Sequence, residues 1–111
     1  RPLRPETLEL LALIERRVAA GEAFTTAPVT DRHPMTADHL SRLFREETGA
    51  SPRAYFVRRR IYAAASRLLH GAHTVTQVAA DLGFADTSHL TRSFREEFGL
   101  SPREYRRRYR E

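Results

Sequence analysis

No cysteine occurs in the 111 residues, which excludes disulfide frameworks, cysteine-based zinc sites and thiol catalysis together. Lysine is missing as well: all 19 basic residues are arginine. No apolar run approaches the roughly 20 residues that a membrane-spanning helix needs, and no signal-like apolar core precedes the first helical pattern. No segment shows strand-like alternation bounded by hairpin turns. Glycine is scarce, and its five copies, Gly21, Gly49, Gly71, Gly83 and Gly99, all fall where a helical pattern runs out. What is present, 41% hydrophobic and 30% charged residues, is the composition of a folded chain rather than a disordered one. The length is that of one domain, with apolar material for one modest core or two small ones.

The charge is unevenly placed. Net charge is +5, but residues 1–41 hold five arginines against six acids, while residues 42–110 hold fourteen against seven. A local excess of seven positive charges points to a polyanion, either nucleic acid or an anionic surface. A genome rich in G and C writes arginine for lysine and accounts for the missing lysine. It leaves the asymmetry unexplained.

Between the glycines, apolar residues recur at three and four. Leu8, Leu11, Ile14 and Val18 make one stripe, Leu40, Leu43 and Phe44 another, Leu90 and Phe94 a third. Ser51-Pro52 and Ser101-Pro102 each set a capping serine before a proline at the first helical position, where its missing N–H costs nothing. Ser101 with Glu104, and Thr74 with Gln77, have capping-box spacing. The expected elements are helices near 6–20, 36–48, 52–70, 75–82, 87–98 and 102–109. A further one near 26–33 is crowded by Pro28 and closed by Pro34. The fold class is all-α.

An internal repeat fixes the architecture. Residues 39–60 read HLSRLFREETGASPRAYFVRRR and residues 89–110 read HLTRSFREEFGLSPREYRRRYR; at an offset of fifty, fourteen of twenty-two positions are identical. Each copy is a helix, a glycine stop and a Ser-Pro restart. Ahead of the second copy, Val78-Ala79, Leu82-Gly83-Phe84, Leu90 and Phe94 have helix-turn-helix spacing, with a small residue where the helices touch and a glycine in the tight turn. Such a unit presents the N-terminal and outer face of its second helix to a DNA major groove. The pattern alone is common among helical hairpins; here it sits in a duplicated unit with basic outward faces.

The stretches HLSRLFREETGASPRAY, VRRRIYAAASRLL and above all TVTQVAADLGFADTSHLTRSFREEFGLSPREYR resemble the DNA-binding domain of the AraC/XylS family of bacterial transcription regulators, over essentially the whole chain. The resemblance implies about seven helices in two helix-turn-helix subdomains, residues 1–50 and 72–111, joined by a long linker helix within 51–71. It implies two recognition helices in successive major-groove segments on one side of the DNA. Independently, a helix over 52–70 spans about 28 Å, which packing offsets can bring to the roughly 34 Å between successive major-groove segments.

By the same resemblance, base-contacting positions fall on Asp38, Ser41 and Arg42 of a first recognition helix near Thr36–Glu47. In the second, near Thr87–Glu97, they fall on Thr87, Ser88, His89, Thr91 and Arg92. Arg42 and Arg92 are equivalent in the repeat and have the reach for a bidentate contact to guanine O6 and N7. Asp38 either accepts from a cytosine amino group or simply complements the helix dipole. Arg45 and Arg95 are placed for phosphates, and the Thr36 and Thr87 hydroxyls or their helix-terminal N–H groups for the same. Of Arg58, Arg59 and Arg60, which diverge around the helix, and the tail Arg106, Arg107, Arg108 and Arg110, most are expected on a solvated face, with Arg60 pairing internally with an acid. The paired aromatics Phe44/Phe94 and Tyr55/Tyr105, with Phe84 and Phe98, sit at core spacing.

Other chemistries find little support. Glu46-Glu47 and Glu96-Glu97 diverge by about 100° on a helix, too far to share one substrate, and are expected to serve nearby arginines. His70 and His73 lack a third metal ligand in reach, and no nucleophilic triad or glycine-rich phosphate loop is present. The expectation is no enzyme, no cofactor and no metal. Double-stranded DNA is the expected partner, with RNA polymerase and a separate effector-binding and dimerisation domain of the same protein implied by the resemblance. The expected setting is the bacterial cytoplasm at the nucleoid, away from membranes, and a start at Arg1 suggests a fragment of a longer regulator. The first unit departs from the pattern: where the second reads VAADLGF, Val29–Met35 reads VTDRHPM, so its supporting helix should be shorter and its apolar contact poorer. That departure, with Asp38, favours a rival: a protein-interaction or autoinhibitory module with weak DNA binding. A sequence-neutral architectural DNA binder is a third possibility.

Overall fold

A computed structural model describes residues 2–110 and contains, among them, seven helices and no strand. These are α1 (Pro5–Ala20), α2 (Ala27–Thr30), α3 (Ala37–Thr48), α4 (Pro52–Leu69), α5 (Val75–Asp81), α6 (Thr87–Phe98) and α7 (Pro102–Tyr109). Capping accounts for most of the boundaries. Thr36, Ser51, Thr74 and Ser101 each accept a hydrogen bond from the backbone N–H three residues on, and both expected capping boxes form. The α6 cap is Asp86, whose Oδ1 accepts from the His89 N–H at 2.8 Å. It stands where Thr36 stands in the first unit.

Two cores form side by side. Leu10, Ile14 and Val18 of α1, Val29, Leu40, Phe44 and Phe56 make the first. Ile61, Ala64 and Leu68 of α4, with Val78, Leu82, Phe84, Leu90 and Phe94, make the second. The linker helix is therefore shared: its start supplies one core and its latter half the other. Side-by-side cores also explain the elongated shape, 47 × 25 × 21 Å, and a radius of gyration of 15.5 Å against about 13 Å for a compact chain of this length.

Three expectations need correction. The inward stripe of α1 does not begin at Leu8, which is about half exposed; Thr7 is buried instead. Thr7 can be buried because its hydroxyl donates to Glu47 Oε1 on α3, so Glu47 acts as an acceptor between helices. The helix near 26–33 contracts to the four residues of α2. Arg60 pairs with no acid among the described residues. Its Nη1 donates to the Gly83 carbonyl at 3.1 Å, and its guanidinium carbon lies 4.3 Å from the Phe84 ring centre and 5.4 Å from that of Phe56. A cation between two aromatic faces gains from both ring quadrupoles. Burial there pushes the guanidinium down from its ordinary value, yet it stays charged at neutral pH.

The degenerate segment of the first unit has its own solution. His33 stands where Leu82 packs in the second unit, and its ring pairs with Glu9 of α1. Arg32 joins the same carboxylate at 3.1 Å. A polar clasp thus replaces the missing apolar contact, while Val29 stays buried and Met35 packs against the core.

A candidate nucleic-acid interface

On α3, Leu40 and Phe44 are fully buried, which turns the opposite side of the helix outward. Asp38, Ser41, Arg42 and Arg45 lie at spacings of three, four and seven, so they share that outer face. On α6, burial of Leu90 and Phe94 turns out Ser88, Thr91, Arg92 and Arg95 in the same register. The two stretches 41–50 and 91–100 have the same order of buried, half-buried and exposed positions throughout. The repeat in sequence is thus a repeat in surface: one arginine pair over a half-buried hydroxyl, presented twice.

The candidate residues differ in how far they are already engaged. Among the described residues, Arg42, Arg45 and Arg92 make no hydrogen bond, ion pair or ring contact, and all three are exposed. Arg95 has Glu104 at a loose 4.0 Å; in the first unit the equivalent of Glu104 is Ala54, which leaves Arg45 free. Thr36 uses its oxygen to accept from the His39 N–H at 3.1 Å and keeps its hydroxyl proton for another acceptor. Thr91 donates to the Thr87 carbonyl at 2.8 Å, so its oxygen lone pairs remain available. Ser88 is exposed, while Ser41 and Thr87 are half-buried. His89 is half-buried: its Nδ1 accepts from the Ala85 N–H, and its ring meets Phe84 edge-on, which holds it against the turn before α6. Asp38 is exposed in the first turn of α3, where both its electrostatic roles stay open.

The remaining arginines are mostly committed to the fold. Arg58 pairs with Glu97, Arg59 with Glu15 and Arg67 with Asp81. Arg106 donates to the carbonyls of Leu68 and His73, closing the end of α4, and Arg110 donates to that of Gly71. Most of these contacts were not legible in the sequence, because they join residues more than 30 positions apart or end on a backbone oxygen, which leaves no side-chain signal; Arg67 and Asp81 are only 14 apart but lie on different helices. Phe44, Phe84 and Phe94 are buried, with Tyr55, Tyr105 and Phe98 packed against the cores. The aromatics therefore serve the interior rather than a stacking platform. Among the described residues, no three His, Cys, Asp or Glu side chains come together as a metal site would need, and no helix is long and apolar enough to cross a membrane.

Known proteins share this design. A family described as "Helix-turn-helix domain" matches residues 29–108. The HTH-type transcriptional activator RhaS of Escherichia fergusonii is 38% identical over 79 residues, an alignment covering 71% of this chain and 28% of that protein. The chain thus spans little more than a quarter of that relative's length. Among solved structures, the C-terminal domain of AraT, a response regulator from Geobacillus stearothermophilus, superposes with a TM-score of 0.88 at 22% identity, covering 100% of this chain and 91% of that one. The DNA-binding domain of AdpA, a global transcriptional factor solved in complex with a target DNA, superposes with a TM-score of 0.81 at 28% identity over 96% of this chain and 94% of that one. With its all-helical duplicated architecture, the chain belongs to the AraC/XylS family of helix-turn-helix transcription regulators, as a DNA-binding domain.

Proposed function

We propose that the domain binds a bipartite double-stranded DNA site sequence-specifically, with α3 and α6 entering successive major-groove segments from one side. The observation that carries this is the matched outward face of the two helices, with Arg42 and Arg92 exposed and uncommitted at equivalent places. An arginine held back from internal pairing on such a face is suited to guanine O6 and N7, a contact worth about 1–3 kcal/mol of discrimination. Arg45, Arg95, Thr36 and Thr87 serve phosphates; Ser41, Ser88, His89 and Thr91 line the same faces as short-range contacts. Asp38, free in the first turn, accepts from a cytosine amino group where the first half-site offers one. Affinity comes from phosphate attraction and counterion release, sequence from the base edges. The domain acts by binding, without catalysis or cofactor.

Its relation to longer relatives supports a wider setting. In this proposal the domain is the DNA-binding part of a longer cytoplasmic regulator acting at the nucleoid. An effector-sensing, dimerising domain would control it, and it would act on transcription by recruiting or excluding RNA polymerase. The test is selection of bound duplexes from a random-sequence pool at near-physiological salt, with excess non-specific competitor. Two enriched boxes about one helical turn apart are expected. One box alone would remove α3 from recognition. No enrichment, with binding that vanishes as salt rises, would overturn the proposal in favour of an interaction module.

A further inference from the structure

The two units touch each other directly, and the contact lies at the turn that launches α6. Gly21, which ends α1 in the left-handed region at φ 69°, packs its Cα face against the Asp81–Gly83 turn. A Cβ at Gly21 would collide with the Asp81 carbonyl oxygen, and one at Gly83 would fall 2.6 Å from the Gly21 carbonyl oxygen. Both approaches are to backbone, which cannot step aside as a side chain would. Arg60 bonds the Gly83 carbonyl from the other direction, with its guanidinium between Phe56 of the first core and Phe84 of the second. Arg67 of α4 holds Asp81 at 3.6 Å in the same turn.

The linker helix alone would hold the units less firmly. Between Phe56 of the first core and Ile61 of the second, none of residues 57–60 is buried, so this stretch of α4 is not clamped by either interior. Helices curve with radii of about 60–100 Å, so a helix of about 27 Å can bend by about 20°. At a lever of about 10 Å, a typical distance between packed helices, that moves α6 by about 3 Å. This is close to the rise of one DNA base pair, about 3.4 Å. Bending of α4 is thus of the size that would blur half-site spacing by one base pair.

We propose that Arg60 and the Gly21–Gly83 backbone contact form a clamp that fixes α6 relative to α3 and so sets the half-site spacing the domain accepts. Arg60 is a positioning residue: it selects the distance between boxes, not the bases within them. The inference rests on the bipartite binding proposed above.

The probe is the duplex recovered by selection, rebuilt with its spacer lengthened or shortened by one and two base pairs, together with a duplex carrying the second half-site alone. The unaltered chain should lose affinity by about tenfold for each base pair of change. Arg60→Met keeps the aliphatic volume but removes the charge and the bond to Gly83. It should reduce that penalty to about threefold or less, with binding to the lone half-site unchanged. Mere loss of folded protein would lower affinity on every duplex and leave the ratios intact. If Arg60→Met does not fold, Gly21→Ala decides, compared with Gly49→Ala, which shares the positive φ but meets nothing within 4 Å. Only Gly21→Ala should change the spacing profile. A steep profile retained by both clamp variants overturns the clamp and leaves bipartite binding standing. An unaltered chain that binds the bipartite duplex at every spacing equally also overturns the clamp. Failure to bind any selected duplex overturns the DNA-binding proposal and the clamp with it.

Discussion

Gly21 and Gly49 each close a helix at positive φ, yet a methyl group would meet very different surroundings at the two places. Alanine at either costs about 1 kcal/mol for the left-handed backbone. At Gly21 the collision with the Asp81 carbonyl adds to it. Urea denaturation should therefore place Gly21→Ala clearly below Gly49→Ala, and equal midpoints would show that the two units do not press together there. The arginines separate in the same residue-by-residue way. Arg92→Ala should relax discrimination at one base pair by about 1–3 kcal/mol, whereas Arg95→Ala should weaken binding across all sequences and lower the salt slope by about one. Fluorescence titration on matched and mismatched duplexes at several salt concentrations distinguishes them. At this scale the sequence was informative about caps and repeat-equivalent arginines, whose signals are local. It sent Arg60 to an acid, because its actual acceptor is a backbone carbonyl 23 positions away, and it led to Leu8 because a buried Thr7 depends on a carboxylate from another helix.

At the scale of single elements, the capping box that opens α7 gives a dependence on pH. The Ser101 backbone N–H and hydroxyl both hold the Glu104 carboxylate, and together they keep it below the usual glutamate value. A group whose folded value is depressed contributes stability that is present above the ordinary glutamate range and is lost as pH falls through the lowered value. Glu104→Gln retains an acceptor for the box but no titrating charge. The gap in melting temperature between the parent chain and this variant should shrink between neutral pH and about pH 3; a constant gap would assign it to something other than the carboxylate. Six of the seven helices were legible to within a residue or so, because prolines, glycines and capping side chains mark their ends. The seventh, α2, was legible only as a weakened element. Nothing local announced that His33 and Arg32 would converge on Glu9, since that clasp depends on α1 lying alongside.

For the molecule as a whole, the shared linker helix matters most. Phe94 is fully buried in the second core, and Phe94→Ala should cost about 3–5 kcal/mol, a large part of the roughly 5–15 kcal/mol typical of a small domain. Because α4 contributes to both interiors, the loss should propagate. Calorimetry should show one transition moving down, and hydrogen exchange should accelerate in α3 as well as in α6. Two separate transitions, with α3 unaffected, would mean that the units are independent. The duplication and the two-unit plan were readable from the offset of fifty. The direct contact between units was not, because two glycines packed backbone to backbone have no side chains to betray it.

The matched burial of 41–50 and 91–100 has a consequence for how such a protein can change. The apolar residues that anchor each of these helices, Leu40 and Phe44 or Leu90 and Phe94, are on its inner side, and in the proposed reading most of what would address DNA is on four outer positions. The outer four of α6, transplanted onto α3, would meet the same pattern of burial, with Ala54 in place of the Glu104 carboxylate beside the fourth. A domain that binds as proposed would then address the same word twice, a direct repeat. A regulator built this way can acquire a new target by rewriting one half of its vocabulary while its scaffold goes on folding as before.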